Sequence, residues 1–117
     1  MRAILVVSHG SHSPQTKKEV EKLVASLRER PLADKIEYAF LEIEKPLIPE
    51  GIDSLVGWGA REIKILLNFL NSGRHVDVDI PQIINDARKK YPQIQFSISR
   101  PVGQHPKIVD LFCEIAE

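Results

Sequence analysis

The residues with the clearest chemical potential are histidines that directly follow predicted strands. His9 comes after the apolar segment AILVVS, and His75 comes shortly after a second apolar segment, EIKILLNFL. Neutral imidazole is the commonest protein ligand for mid-series divalent metals, and the carboxyl ends of parallel strands meet at one edge of a sheet. We therefore predict that His9 and His75 converge on a site for Co²⁺, Ni²⁺ or Fe²⁺. A closed structural zinc site is not expected, because such sites usually have four protein ligands that include cysteines.

Acidic side chains follow the second and third predicted strands. Glu42 and Glu44 lie two residues apart, so an extended segment would place both side chains on one face. Asp77 is a candidate for orienting an imidazole through a hydrogen bond, whereas Asp79 stands just before a proline and is predicted mainly to cap a helix. The sequence thus predicts carboxylates on the same edge as the histidines.

Basic side chains are predicted on this edge as well. Four of them follow predicted strands, namely Lys45, Arg74, Arg100 and Lys107. They are either scattered, solvated charges or a group of cations that binds an anionic substrate. His12 and His105 also fall on this edge, and no role is assigned to either of them.

Four apolar, β-rich segments alternate with four helical patterns along the chain. Strands are predicted at residues 3–8, 35–41, 62–70 and 94–99, and helices are predicted to begin near Ser13, Pro46, Pro81 and Pro106. Strict alternation with short connections predicts a doubly wound α/β fold, a four-stranded parallel sheet with helices on both faces. No linker or repeat divides the chain, so residues 1–117 are predicted to form a single domain.

The last helix is predicted to pack on the sheet like the others. Its apolar residues follow helical spacing, at Ile108, Val109, Phe112 and Ile115. Cys113 lies within this pattern and is predicted to be a small buried hydrophobic residue. As the single cysteine of the chain, it excludes an internal disulfide.

Composition narrows the classes of partner. Lys plus Arg and Asp plus Glu number 16 each, so the formal net charge is zero. Without a basic run, the chain offers no electrostatic surface for nucleic acid or for an anionic membrane. No segment approaches the ~20 apolar residues of a membrane span, and the first residues lack the core of a signal peptide. A cytoplasmic protein is therefore expected.

Four motifs taken together resemble one family. They are V-x-H-G-S at residues 7–11, AFLE at 39–42, FL-x-x-G-x-H-x-x-x-DIP at 69–81 and P-x-G-x-HP at 101–106. In this order, and at these strand ends, they resemble the class II tetrapyrrole chelatases, in particular the short, single-domain sirohydrochlorin cobaltochelatases of the small CbiX type. The resemblance covers essentially the whole chain, and it implies the four-stranded, chelatase-like fold.

The resemblance implies an enzyme that inserts a divalent metal into sirohydrochlorin during cobalamin or related cofactor biosynthesis. The implied metal substrate is Co²⁺, with Ni²⁺ and Fe²⁺ as alternatives, and no organic cofactor is implied. His9 and His75 match the family's metal-binding histidines, and Glu42 matches the acidic residue near the metal and the macrocycle, so these three are the implied catalytic residues. The implied contacts to the substrate are Ser11, Lys45, Arg74 and Arg100.

The resemblance also implies a homodimer. Longer relatives carry two such lobes and this chain supplies one, so the tetrapyrrole would lie in a cleft between two copies. The chain departs from the family at His12, where the family often has an arginine after HGS. A cationic contact to a substrate carboxylate is therefore absent, titratable, or supplied by Arg74 or Arg100.

Two other functions stay open at the level of the sequence. A non-enzymatic carrier could bind Co²⁺ or Ni²⁺ at His9 and His75 and deliver it to a partner, although the basic side chains would then have no evident use. The histidine phosphatases also place a histidine after the first strand. Their signature has an arginine immediately before His-Gly, whereas this chain has Ser8, so the phosphate clamp of that family is missing.

Overall fold

Strands and helices alternate along the whole chain. The structure is a computed structural model that describes residues 1–117. In order, the main elements are β1 (Arg2–Ser8), α1 (Pro14–Arg28), β2 (Lys35–Phe40), α2 (Ile48–Trp58), β3 (Glu62–Leu67), α3 (Ile80–Lys90), β4 (Gln95–Pro101) and α4 (Ile108–Ala116). A π-helical turn, His75–Asp79, leads into α3, and a 3₁₀ turn, Val102–Gln104, precedes α4.

The four strands form one parallel sheet with the order β2-β1-β3-β4. This architecture confirms the predicted α/β fold. β1 lies at the centre, where Val7 pairs with Ala39 of β2 and with Leu67 of β3. Because all strands run in the same direction, their carboxyl ends and the segments that follow them lie along one edge of the sheet. We call this the carboxyl edge.

Helices cover the two faces of the sheet unequally. α1 packs on one face, where Val20 and Val24 join a small cluster with residues of β1 and β2. α2 and α3 cover the other face, and their apolar residues, such as Ile52 and Ile84, belong to a larger core of 17 buried residues. The continuous apolar run of β1 follows from this arrangement, since a central strand is buried on both faces.

The third strand ends three residues earlier than predicted, at Leu67. Asn68, the next residue, is bound to the end of β1 through its backbone and its side chain. Its backbone N–H donates to the carbonyl of Val7 at 2.8 Å, and its side-chain amide donates to Oγ of the buried Ser8 at 3.0 Å. This contact ties the ends of two neighbouring strands together, directly before His9.

The predicted packing of the last helix is wrong. Val109, Phe112 and Ile115 of α4 are 61%, 65% and 81% exposed, and no residue of this helix is buried. The prediction for Cys113 is wrong for the same reason, because the thiol is exposed. Helical periodicity reveals an apolar face but not the surface that covers it.

None of the helices is long and apolar enough to span a membrane.

Candidate metal centre

His9 is positioned by the end of β1, which it directly follows. The chain after β2 stays beside it, since the N–H groups of Leu41 and Glu42 donate to the carbonyls of Ser8 and His9 at 2.9 and 3.1 Å. These bonds extend the pairing of the two strands by one step. As a result, Oε2 of Glu42 lies 3.7 Å from Nε2 of His9.

His75 opens the π-helical turn before α3 and reaches the same place from the other side of β1. The ring centroids of His9 and His75 are 5.0 Å apart, and the rings are tilted by 53°. The structure therefore brings together the two histidines and Glu42, as the sequence predicts. It does so because β1 lies between β2 and β3, so the segments that follow these three strands are neighbours.

Hydrogen bonds fix the tautomer of both rings. Nδ1 of His9 is 3.0 Å from the carbonyl oxygen of Gly10, and Nδ1 of His75 is 2.8 Å from Oδ2 of Asp79. A carbonyl and a carboxylate can only accept, so Nδ1 carries the proton in each ring. The lone pair of each neutral imidazole is therefore on Nε2, where it is available to a metal.

Asp79, and not the predicted Asp77, is hydrogen-bonded to the imidazole of His75. The side chain of Asp79 makes no helix-capping hydrogen bond and binds His75 instead, four residues earlier. Asp77 is exposed and makes no side-chain hydrogen bond to His75. Because i and i+4 face each other on a helical turn, the spacing itself contained this signal, but only once the segment is known to be helical.

We expect Asp79→Ala to weaken Co²⁺ binding by about 10- to 100-fold, because partners that orient a metal-binding imidazole have effects of this size. Binding is measured by titration with Co²⁺, alongside thermal unfolding. Asp77→Ala is the matched control and should bind Co²⁺ like the wild type. Equal affinities in the two variants would show that the Asp79 contact does not orient His75.

Glu42 and Glu44 do not share a face, contrary to the prediction. The backbone of Ile43 has φ 73°, and the N–H of Glu44 donates to the carbonyl of Glu42 at 2.8 Å, which makes a tight γ-turn. Glu42 consequently faces His9, whereas Oε1 of Glu44 accepts the N–H of Ser11 at 2.8 Å. Glu44 therefore anchors the loop after His9.

Gly10 allows the segments after β1 and β2 to approach closely. Its φ is +102°, and a Cβ at this position would lie 1.9 Å from the carbonyl oxygen of Glu42. A side chain would have to displace the backbone that carries Glu42. Glycine is required here for both its conformation and its size.

We expect Gly10→Ala to move Glu42 away from His9 and so to slow a reaction that uses both side chains by about 10²-fold, because misplacing a catalytic group by an ångström has this effect. Alanine in the left-handed backbone conformation of residue 10 should also lower the free energy of unfolding by about 1–3 kcal/mol. Gly57→Ala is the control, since a Cβ there meets nothing within 4 Å. Steady-state rates and thermal unfolding, measured for both variants, test the expected losses of rate and of stability. Unchanged activity in Gly10→Ala would mean that the position of Glu42 is not critical.

The predicted substrate-binding residues occupy the carboxyl edge but form no side-chain hydrogen bond or ion pair with His9 or His75. Ser11 adjoins the site, and its Oγ accepts the N–H of Ser13 at 3.0 Å. Arg74 is 81% exposed, with Nε 3.9 Å from Asp79. Lys45 and Arg100 are exposed and form no ion pair with an acidic side chain.

The two unassigned histidines lie apart from the pair. His12 lines a shallow depression with Lys17 and Lys18. Nδ1 of His105 accepts the N–H of Lys107 at 3.1 Å, at the beginning of α4. Neither forms a ring contact with His9, whose partner is His75.

The candidate metal centre is open to solvent. The side chains of His9, His75 and Glu42 are 42%, 46% and 54% exposed. No group of three or more His, Cys, Asp or Glu side chains is arranged to enclose a metal ion. Two imidazoles can bind a metal here while leaving most of its coordination positions free.

The chain is similar to several known proteins along most of its length. A family model described as CbiX matches residues 3–117. A sirohydrochlorin cobaltochelatase from Priestia megaterium is 31% identical over 111 residues, which cover 95% of this chain and 36% of that protein. A chloroplastic sirohydrochlorin ferrochelatase from Arabidopsis thaliana is 31% identical over 108 residues, which cover 92% of this chain and 48% of that protein.

A solved structure shows the same fold. The sirohydrochlorin chelatase SirB from Bacillus subtilis subspecies spizizenii, in complex with cobalt, has a TM-score of 0.89 at 29% identity. The match covers 98% of this chain and 50% of the SirB chain. This chain therefore spans half the length, or less, of each of these three proteins.

Proposed function

Since this chain belongs to the CbiX family, we propose that it inserts a divalent metal into sirohydrochlorin. The observation that carries the proposal is the open pair of imidazoles, His9 and His75, with Glu42 beside them. Related proteins are named for cobalt or for iron insertion. Co²⁺ is therefore the first metal substrate to test, followed by Fe²⁺ and Ni²⁺, since an imidazole site does not select one of these ions strongly.

The imidazole pair suits a metal ion that must be transferred to the tetrapyrrole. Metal–imidazole bonds are about 2.1 Å long, so two rings with centroids 5.0 Å apart are close enough to occupy adjacent positions on one ion. Two neutral ligands hold the ion less tightly than thiolates would. The remaining positions, filled by water, can be taken over by the ring nitrogens of the tetrapyrrole.

Glu42 is placed to take up a proton. When the metal enters the ring, bonds form between the ion and the ring nitrogens, and two pyrrole N–H bonds break. Two protons must leave for each metal ion. The Glu42 carboxylate, 3.7 Å from Nε2 of His9, accepts the first of them next to the metal, and water carries both away.

The basic residues of the carboxyl edge give the substrate its orientation. Sirohydrochlorin is a polycarboxylate, and Lys45, Arg74 and Arg100 are exposed cations in or after the strands whose ends form the carboxyl edge. Ser11 adds a hydroxyl directly after the His9–Gly10 turn. A second copy of the chain completes the cleft, since a single copy leaves the metal centre half exposed.

Anaerobic mixing of the protein with sirohydrochlorin and Co²⁺, Fe²⁺ or Ni²⁺ tests the proposal. The visible absorption of the ring reports metal insertion against a reaction without protein. Acceleration with at least one ion is expected, and the relative rates rank the metals. Tight metal binding without acceleration would favour a metal carrier instead.

A further inference from the structure

Ile43 has a side chain that does not suit its backbone conformation. Its φ is 73°, and the N–H of Glu44 donates to the carbonyl of Glu42 across it at 2.8 Å. A γ-turn with positive φ is rare and strained, and a branched Cβ adds to the strain. Glycine or asparagine would adopt this conformation at a lower cost in free energy.

The side chain of Ile43 does not compensate for this strain by joining the core. It is 46% exposed. It belongs neither to the two buried clusters nor to the apolar residues packed against them. Strained residues of this kind are concentrated at functional sites, where the surrounding structure holds them in place.

Hydrogen bonds on both sides of Ile43 hold the turn. The N–H of Glu42 donates to the carbonyl of His9 at 3.1 Å, and Oε1 of Glu44 accepts the N–H of Ser11 at 2.8 Å. These bonds join the segment after β2 to the loop after β1. The γ-turn is therefore fixed, and Ile43 has a defined position in it.

This position adjoins the candidate metal centre. Ile43 directly follows Glu42, whose Oε2 is 3.7 Å from Nε2 of His9. A Cβ on Gly10 would lie 3.5 Å from the Cβ of Ile43, so Ile43 lies against the turn that follows His9. An exposed apolar side chain is thus held next to two of the groups proposed to act on the tetrapyrrole.

The surroundings of Ile43 are polar. It lines the shallow depression next to the loop after His9, and the other lining residues include His12, Lys17, Lys18, Glu21 and Glu44. Neither lysine forms an ion pair with an acidic side chain of the chain. One apolar side chain beside unpaired cations suits a ligand that has an apolar ring and carboxylates on its rim. The core of a protein interface, in contrast, is depleted of charged residues.

We infer that Ile43 packs against the edge of the tetrapyrrole ring and so helps to place the ring nitrogens over the metal. The inference rests on the proposed function, because it names a further contact to the substrate of that reaction. It also explains why a strained isoleucine occupies the turn. The side chain contributes to substrate binding at the expense of the stability of the fold.

Equilibrium titration with sirohydrochlorin in the absence of metal tests the inference, with binding followed by the absorption and fluorescence of the ring. Ile43→Asn should raise the Kd about tenfold, because covering the exposed half of an isoleucine is worth roughly 1.4 kcal/mol. Its midpoint of thermal unfolding should equal that of the wild type or be a few degrees higher. Ile43→Leu keeps an apolar side chain and should keep the Kd within about twofold.

Leu32→Asn is the matched control for the loss of an exposed aliphatic side chain. Leu32 is 41% exposed and lies between α1 and β2, at the opposite edge of the sheet. This variant should bind sirohydrochlorin like the wild type. All three variants retain both imidazoles and should bind Co²⁺ within about twofold of the wild type.

An unchanged Kd in Ile43→Asn would overturn the inference, and normal metal insertion by the same variant would leave the proposed function standing. A lower unfolding midpoint in Ile43→Asn would show that the side chain stabilises the single copy, which contradicts the inference. An equal rise in Kd for Ile43→Leu would rule out an apolar contact. An altered sedimentation coefficient of Ile43→Asn would assign the side chain to a contact between copies instead.

Failure of the proposed function has a different signature. A wild type that binds sirohydrochlorin without accelerating metal insertion would refute the chelatase proposal. The Kd values of the variants would still decide whether Ile43 contacts the ring. A wild type that does not bind sirohydrochlorin would overturn both.

Discussion

Replacing His9 or His75 with alanine is expected to reduce metal insertion to the rate of the reaction without protein. Each variant retains one imidazole, which cannot hold the ion at the place where the tetrapyrrole meets it. Both side chains are nearly half exposed, and neither belongs to the buried core, so the fold should persist. Metallation rates, Co²⁺ titration and thermal unfolding are measured for each variant.

His105→Ala is the matched control for these variants. His105 follows β4 on the same carboxyl edge, but its Nδ1 is bound to the backbone N–H of Lys107. Insertion by this variant should resemble that of the wild type. Normal turnover in His9→Ala or His75→Ala would eliminate the two-imidazole site, whatever the control shows.

Glu42→Gln is expected to lower the rate of insertion by about 10²–10⁴-fold, the usual contribution of a positioned proton acceptor. The amide keeps the size of the side chain but cannot accept a pyrrole proton. The KM for sirohydrochlorin should change little, because the loss concerns the chemical step rather than binding. Steady-state rates over a range of sirohydrochlorin concentrations separate the two parameters.

Glu44→Gln provides an isosteric comparison two residues away. Its side-chain oxygen can still accept the N–H of Ser11, so the loop after His9 should remain in place. This variant should lose only a small part of the rate. If Glu42→Gln and Glu44→Gln behave alike, Glu42 does not act as the proton acceptor.

The meeting of His9 and His75 was predictable from the sequence, because each follows the end of a predicted strand. The apolar run of β1 locates His9, and a parallel sheet places the segment that carries His75 on the same edge. The close approach of the two rings also requires β1 and β3 to be neighbours, which pairs Val7 with Leu67. The resemblance to the chelatases implied this arrangement, and the structure contains it.

Features that depend on local backbone conformation were not predictable. Glu42 and Glu44 point apart because Ile43 adopts a left-handed conformation, which is rare for a β-branched residue. The hydrogen bond from His75 to Asp79 depends on residues 75–79 being helical, which sequence periodicity does not indicate. These two details decide that Glu42 faces His9 and that Asp79 holds the imidazole of His75.

The position of α4 was unpredictable for a different reason. Ile108, Phe112 and Ile115 have the spacing of an inward-facing helix, and the chain has such helices elsewhere. Whether α4 packs on its own sheet depends on the face of β3 and β4 that lies opposite α2 and α3. On that face, Lys64 and Ser97 make the surface polar. That surface is visible only once the register of the strands is known.

X-ray absorption at the cobalt edge tests the central claim most directly, since it counts the imidazoles bound to Co²⁺. The wild-type protein loaded with one equivalent of Co²⁺ should show two imidazoles, with oxygen ligands in the other positions. His9→Ala and His75→Ala should each show one imidazole at most. Three or more imidazoles in the wild type, or the same count in all three proteins, would contradict an open metal centre formed by His9 and His75.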